Sequence, residues 1–194
     1  MGYDRQKVGR WEDVELASSA RISDYIQWQE AKNTAAISRM LRKRFEERYI
    51  RPVLGAHRHG FTIMSVSCLM VEALVSFQQG WRDTKRMRSK PFDIFFFENR
   101  EFHPLTPHSE AFYVHVRCGL LHQAETTGGW RILRIGPLFS VRDSCVNAVA
   151  FIDALGRALS EYCERLESTE WDSELWARCR RKLNAICENA KPKG

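Results

Sequence analysis

Arg117 and His122 stand five residues apart in the segment Arg117-Cys118-Gly119-Leu120-Leu121-His122, and their chemistries are complementary. The arginine's planar, permanently charged fork suits a phosphate, and an imidazole moves protons near neutral pH. Together they offer charge stabilisation and general acid–base catalysis at a phosphodiester, a step that asks for no metal and no cofactor. Five residues at about 100° each put the two side chains roughly 140° apart on an ideal helix. A kink near Gly119, the reach of the arginine, or a second subunit has to bring them together.

Further candidates surround this pair. Glu72 is a carboxylate in the most apolar helical stretch, a costly position unless it is paired or hydrogen-bonded. It would orient Arg117, tune His122, or reach solvent at the edge of the bundle. His115 lies seven residues before His122, on the same face of a helix, and is an auxiliary candidate, as is the flanking Gln123. Segments 39–51 and 82–90 each carry a net +4, together more than the +6 of the whole chain. Lys85 and Arg86 in the second segment, with Arg131 and Arg134 just beyond the motif, are the expected contacts to a polyanionic backbone, gripping phosphates without reading sequence. A charge run is also what a solvated face looks like, so these patches add weight only beside the motif. His57-x-His59 has no nearby Cys or carboxylate to complete a metal site and reads as a polar loop.

Helices must position these groups. Residues 11–31 are amphipathic and predict an N-terminal helical extension over 1–33. Ile37, Leu41, Phe45 and Tyr49 recur every fourth residue in a helix that Pro52 and Gly55 end. Residues 60–79 are apolar on nearly all sides, as expected of a bundle centre. The aromatic run after Pro91 predicts a packed excursion over 80–106. Thr106 and Pro107 mark the start of the motif helix and Gly128-Gly129 its stop. Residues 130–141 read as a short hairpin, and helices follow near 144–166 and 170–190. The expectation is one all-α domain over 1–194, an up-and-down helical bundle with a core at 34–190 and a small β-hairpin insertion.

Composition bounds the rest. The chain has 194 residues, 44% hydrophobic and 28% charged, enough to bury a sizeable core, and its basic balance favours polyanionic partners. Residues 1–20 are studded with charge before any apolar run, so no secretion signal is expected. The apolar stretch Phe61 to Phe77 contains Ser65, Ser67 and Glu72; at this length and polarity a core helix is expected, not a membrane span. Six cysteines without a CxxC pair fit a reducing, cytoplasmic setting.

The Arg117-x4-His122 motif, late in a helical bundle and preceded by the helix carrying Ser67-Cys68-Leu69-Met70-Val71-Glu72, resembles the HEPN superfamily. Its Gly-Leu-Leu-His core is similar to that of some members. The resemblance implies an all-α ribonuclease with Arg117 and His122 catalytic, dimerisation that pools two motifs in one cleft, and a toxin or phage-defence setting with an antitoxin protein as a partner. Two positions depart from the family. Cys118 stands where active members usually carry a polar residue, and Ala124 where nucleotidyltransferase-paired members carry Tyr. The first departure keeps a second reading open: a non-catalytic bundle that binds RNA or protein.

Overall fold

The structure, a computed structural model, describes residues 10–55 and 58–192. Its centre is α3 (Gly60–Gln79), which buries Ile63, Met64, Cys68, Met70, Val71, Leu74, Val75 and Phe77. These positions ring most of the cylinder, so the helix needs neighbours on several sides. It receives them from α4 (Lys90–Glu98), α7 (Ala148–Ser168) and α8 (Glu174–Asn189), while α2 (Thr34–Phe45) packs on α7. Helix α3 is long and apolar enough to cross a membrane by length and composition, and 61% of its apolar window is buried within the fold. Helix is 67% and strand 7%, an all-α class with small sheets.

Local chemistry sets the helix starts. Asn33 caps α2 by accepting from the Ala36 N–H, Asn147 caps α7 through the N–H groups of Val149 and Ala150, and Ser173 caps α8 through Trp176. The fourfold spacing of Ile37, Leu41 and Phe45 buries all three. Buried residues from Leu16 to Cys187 form one cluster, so the N-terminal segment belongs to the same core.

Three expectations are corrected. The N-terminal segment is not wholly helical: a 3-10 turn, Trp11–Asp13, precedes strands β1 (Glu15–Ala17) and β2 (Ala20–Arg21), and only then α1 (Ile22–Glu30). Its tight turn is held from outside by Glu47, whose carboxylate accepts from the N–H and hydroxyl of Ser18. Residues 130–141 do not pair as a hairpin. Strand β3 (Arg131–Leu133) runs parallel to β5 (Cys145–Asn147), and β4 (Phe139–Ser140) runs antiparallel to β5 on its other side. The central strand is thus the segment expected to begin the following helix. All three β5 residues are buried, which makes them indistinguishable by pattern from the first turn of α7.

The motif helix also departs from its expected bounds. Pro104 and Pro107 sit in a 3-10 stretch, Arg100–His108, because a proline has no N–H to give to an α-ladder. Thr106 does not cap, and the α-helical run begins only at α5 (Ser109–Phe112). It ends at Gln123, where Ala124 takes a left-handed conformation (φ 56°) well before Gly128-Gly129. The aromatic excursion does pack: Phe102 meets Phe95 and Phe151 with ring centroids 4.8 and 4.9 Å apart, while Phe97 stays exposed.

Candidate functional site

Between α5 and α6 (Gly119–Gln123) lies a π-helical turn, Tyr113–Cys118. Such a turn carries one more residue than an α-turn, re-aims the side chains it bears, and is often found at functional sites. Gly119 closes it, and a Cβ there would lie 2.5 Å from the Glu125 carbonyl oxygen. The residue is glycine because the chain's own return loop passes against it, not because another helix does.

The turn delivers Arg117 to Glu72 of α3. The guanidinium Nε donates to the Glu72 carboxylate at 2.7 Å, with the two side chains only 20% and 14% exposed. The other carboxylate oxygen accepts from the Thr84 hydroxyl at 3.2 Å. The Tyr113 ring lies 5.7 Å from the guanidinium carbon, within cation–π range. Burial pulls the arginine's pKa down, but the hydrogen bond and charge of Glu72 outweigh it and hold the group firmly cationic. Burial, followed by a hydrogen bond with Cys118, raises the Tyr113 hydroxyl. With Nε committed to Glu72, the two terminal nitrogens form an edge suited to bidentate contact with an oxyanion.

The structure therefore joins Glu72 to Arg117, and among the described residues none of the other predicted residues hydrogen-bonds to that pair. His122 is exposed on α6 and has no hydrogen-bond partner among the described residues. His115 turns to the return loop, where Nδ1 meets the Thr127 hydroxyl at 2.9 Å and its backbone carbonyl accepts the Thr127 N–H. Its ring fills the space a Cβ on Gly128 would need, and Gly128 has φ +59°. This histidine braces the loop. Gln123 is exposed at the end of α6.

Lys85 and Arg86 are exposed on the loop that Thr84 ties to Glu72, and Arg88 of the same loop pairs with Glu110 of α5. These two cations thus share the neighbourhood of Arg117. Arg134 does not, and Arg131 opens β3. Arg134 packs near Gly60 at the start of α3, twelve residues from Glu72, or about 18 Å along the axis. None of these four side chains forms an ion pair among the described residues.

Sequence reasoning missed Thr84 and Tyr113. Tyr113 could have been found one turn before Arg117; nothing in the sequence marks Thr84, which arrives by way of a loop. It also missed an apolar surround. Leu69, three residues before Glu72, and Val114 and Leu121, three before and four after Arg117, are 44%, 39% and 45% exposed. Among the described residues no three His, Cys, Asp or Glu side chains converge as a metal site requires. His59 is exposed, and His57 lies outside the described residues. No protein-family model, curated protein or solved structure matches the chain.

Proposed function

We propose that the chain is a HEPN-type helical bundle that cleaves RNA without a metal, using Arg117 and His122 at a cleft between two copies. The observation that carries the reading is the Glu72–Arg117 pair, which fixes the motif arginine through Nε while its terminal nitrogens have no hydrogen-bond partner among the described residues. An arginine held this way presents two N–H groups to a phosphate at little entropic cost. Lys85 and Arg86, on the loop tied to the same carboxylate, add charge along the approach.

In the proposed step the ribose 2′-oxygen attacks the adjacent phosphorus and the bond to the 5′-oxygen breaks. The products are a 2′,3′-cyclic phosphate and a 5′-hydroxyl. One imidazole takes the proton from the 2′-hydroxyl and another returns one to the departing oxygen, so two copies of His122 in one cleft fill both roles. Arg117 stabilises charge on the phosphate's non-bridging oxygens. What favours a second copy is the exposed apolar side chains of Leu69, Val114 and Leu121 beside a histidine that makes no hydrogen bond to Arg117 or Glu72 among the described residues. The wider reading, a cytoplasmic toxin or phage-defence effector held by an antitoxin protein, rests on the motif resemblance.

A second reading, a non-catalytic module that binds RNA or a partner protein, is favoured by Cys118 directly after the arginine and by a His122 that has no hydrogen-bond partner among the described residues. One experiment separates them. Labelled RNA and its all-deoxy counterpart are incubated with the protein, with and without EDTA, alongside His122→Ala. The ribonuclease reading expects cyclic-phosphate ends from RNA alone, undiminished by EDTA and lost in the variant. RNA retained in a gel shift but never cut selects the second reading. Cleavage that vanishes with EDTA and returns with magnesium overturns the first.

A further inference from the structure

The three-stranded sheet leaves one edge open. Strand β3 is outermost, with β5 on one side only. Arg131 donates its N–H to the Ser144 carbonyl, and the parallel register Arg131↔Cys145, Leu133↔Asn147 turns the main-chain groups of Arg131 and Leu133 toward β5. Ile132, between them, turns its N–H and C=O the other way, and nothing among the described residues bonds to either. The Trp130 carbonyl just before the strand is taken by the Thr126 hydroxyl at 2.6 Å, so the edge opens at Ile132. A free N–H and C=O at a sheet edge are the groups a further strand takes up.

The side chains around this edge set the chemistry of that strand. A groove of about 610 Å³ is lined by Ile132, Leu133, Arg134, Ile135 and Val149 of α7. Ile135 is 83% exposed and Leu133 41%, so the groove carries adjoining apolar surface and not one scattered residue. Arg131 and Arg134 frame the strand without an ion pair among the described residues, and no Asp or Glu occurs from 126 to 142. A Cβ on Gly60 would meet Ile132 Cγ2 at 3.1 Å and Arg134 Cγ at 3.4 Å, which puts those two side chains on one face. Arg131 and Leu133 take the other face by alternation. A strand laid alongside therefore meets one arginine on each face, three residues apart.

We propose that the β3 edge receives an extended segment of a partner protein whose core reads acid, aliphatic, aliphatic, acid, the complement of Arg131-Ile132-Leu133-Arg134. Its backbone bonds Ile132, its two carboxylates pair with Arg131 and Arg134 on opposite faces, and its aliphatic side chains cover Leu133 and Ile135. Opposite charges directly across a strand pair stabilise it, and like charges destabilise it. A second copy of this chain fails that test, because antiparallel pairing about the centre of the strand sets each Arg131 opposite an Arg134. A nucleic acid fits poorly too, since Leu133 and Ile135 are aliphatic and give bases no aromatic face to stack on. The RNA cleavage proposed above uses Arg117, His122, Lys85 and Arg86 and none of these residues, so each proposal stands or falls alone.

The test titrates the full chain into labelled synthetic peptides read by fluorescence anisotropy: one with the core Glu-Val-Val-Glu, its Lys-Val-Val-Lys analogue, and the Glu peptide with N-methylated core amides. Saturable binding of the Glu peptide is expected, about tenfold tighter than of the Lys peptide, and N-methylation should abolish it. By NMR the Ile132 amide should exchange its hydrogen about tenfold more slowly at saturating Glu peptide. The charge-reversed protein, Arg131→Glu with Arg134→Glu, should prefer the Lys peptide. The peptide changes leave the protein untouched, so they decide the matter even if that variant fails to fold. No saturable binding of the Glu peptide, equal affinity for the Lys peptide, or indifference to N-methylation each overturns the proposal. A dimer in light scattering that Ile135→Asp dissociates overturns it in favour of a second copy. A uridine oligoribonucleotide displaced by the Glu peptide overturns it in favour of a nucleic acid.

Discussion

Replacing Glu72 by glutamine keeps the shape and one acceptor of the Glu72–Arg117 pair but removes its charge. Hydrogen bonds to charged groups contribute about 1.5–3 kcal/mol and neutral ones nearer 1. The loss on Glu72→Gln is therefore about 1 kcal/mol, or about 3 °C in melting temperature for a chain of this size. Glu72→Ala goes further. It removes the acceptor and leaves a guanidinium only 20% exposed without a counter-charge. Breaking a fully buried pair costs about 3–5 kcal/mol; at this exposure the low end applies, about 3 kcal/mol or about 9 °C. A double-mutant cycle with Arg117→Ala isolates the coupling, since the Thr84 bond to the same carboxylate contributes separately. Differential scanning fluorimetry reads the melts, and RNA cleavage should fall by up to about 100-fold as the arginine loses its position. If both Glu72 variants melt within about 1 °C of the parent, the pair does not hold Arg117 and the site built on it is wrong.

Four other outcomes follow from the same geometry. His122→Ala should melt with the parent, because the side chain is exposed and unbonded, while cleavage is abolished; Arg117→Lys should lose most cleavage despite keeping its charge, since an ammonium has no planar fork. Equal cleavage by the lysine variant would reduce Arg117 to a counter-charge. Gly119→Ala should cost about 1–3 kcal/mol, because its Cβ meets the Glu125 carbonyl at 2.5 Å and the loop has to move; an unchanged denaturant midpoint would contradict that close approach. Under native conditions at pH 8, iodoacetamide should modify Cys118 alone. The other five thiols are buried, and burial pushes Cys179 up to about 12 and Cys163 and Cys187 to about 11. Mass spectrometry showing two or more labels on the folded chain would refute this.

The sequence by itself determined the long helices. Ile37, Leu41 and Phe45, the all-round apolar run of α3, and the stripes of α7 and α8 are signals that a helix of 3.6 residues per turn reads locally, and caps at Asn33 and Ser173 lie beside them. Glu72 and Arg117 were also legible as a carboxylate and a cation in want of partners. Their meeting was one of the readings open for Glu72, but nothing local selected it, because they are 45 residues apart and the π turn that aims Arg117 leaves no mark in the residue pattern. The sheet is the clearest case. Cys145–Asn147 is buried on both faces and becomes a strand only because β3 and β4 arrive on either side of it, a parallel and an antiparallel pairing that no local periodicity encodes. His115 and His122 sit on one helix in sequence, yet the return loop that claims His115 leaves His122 free at the surface. Local spacing fixed which residues lie in which helix; long-range packing decided which of them touch.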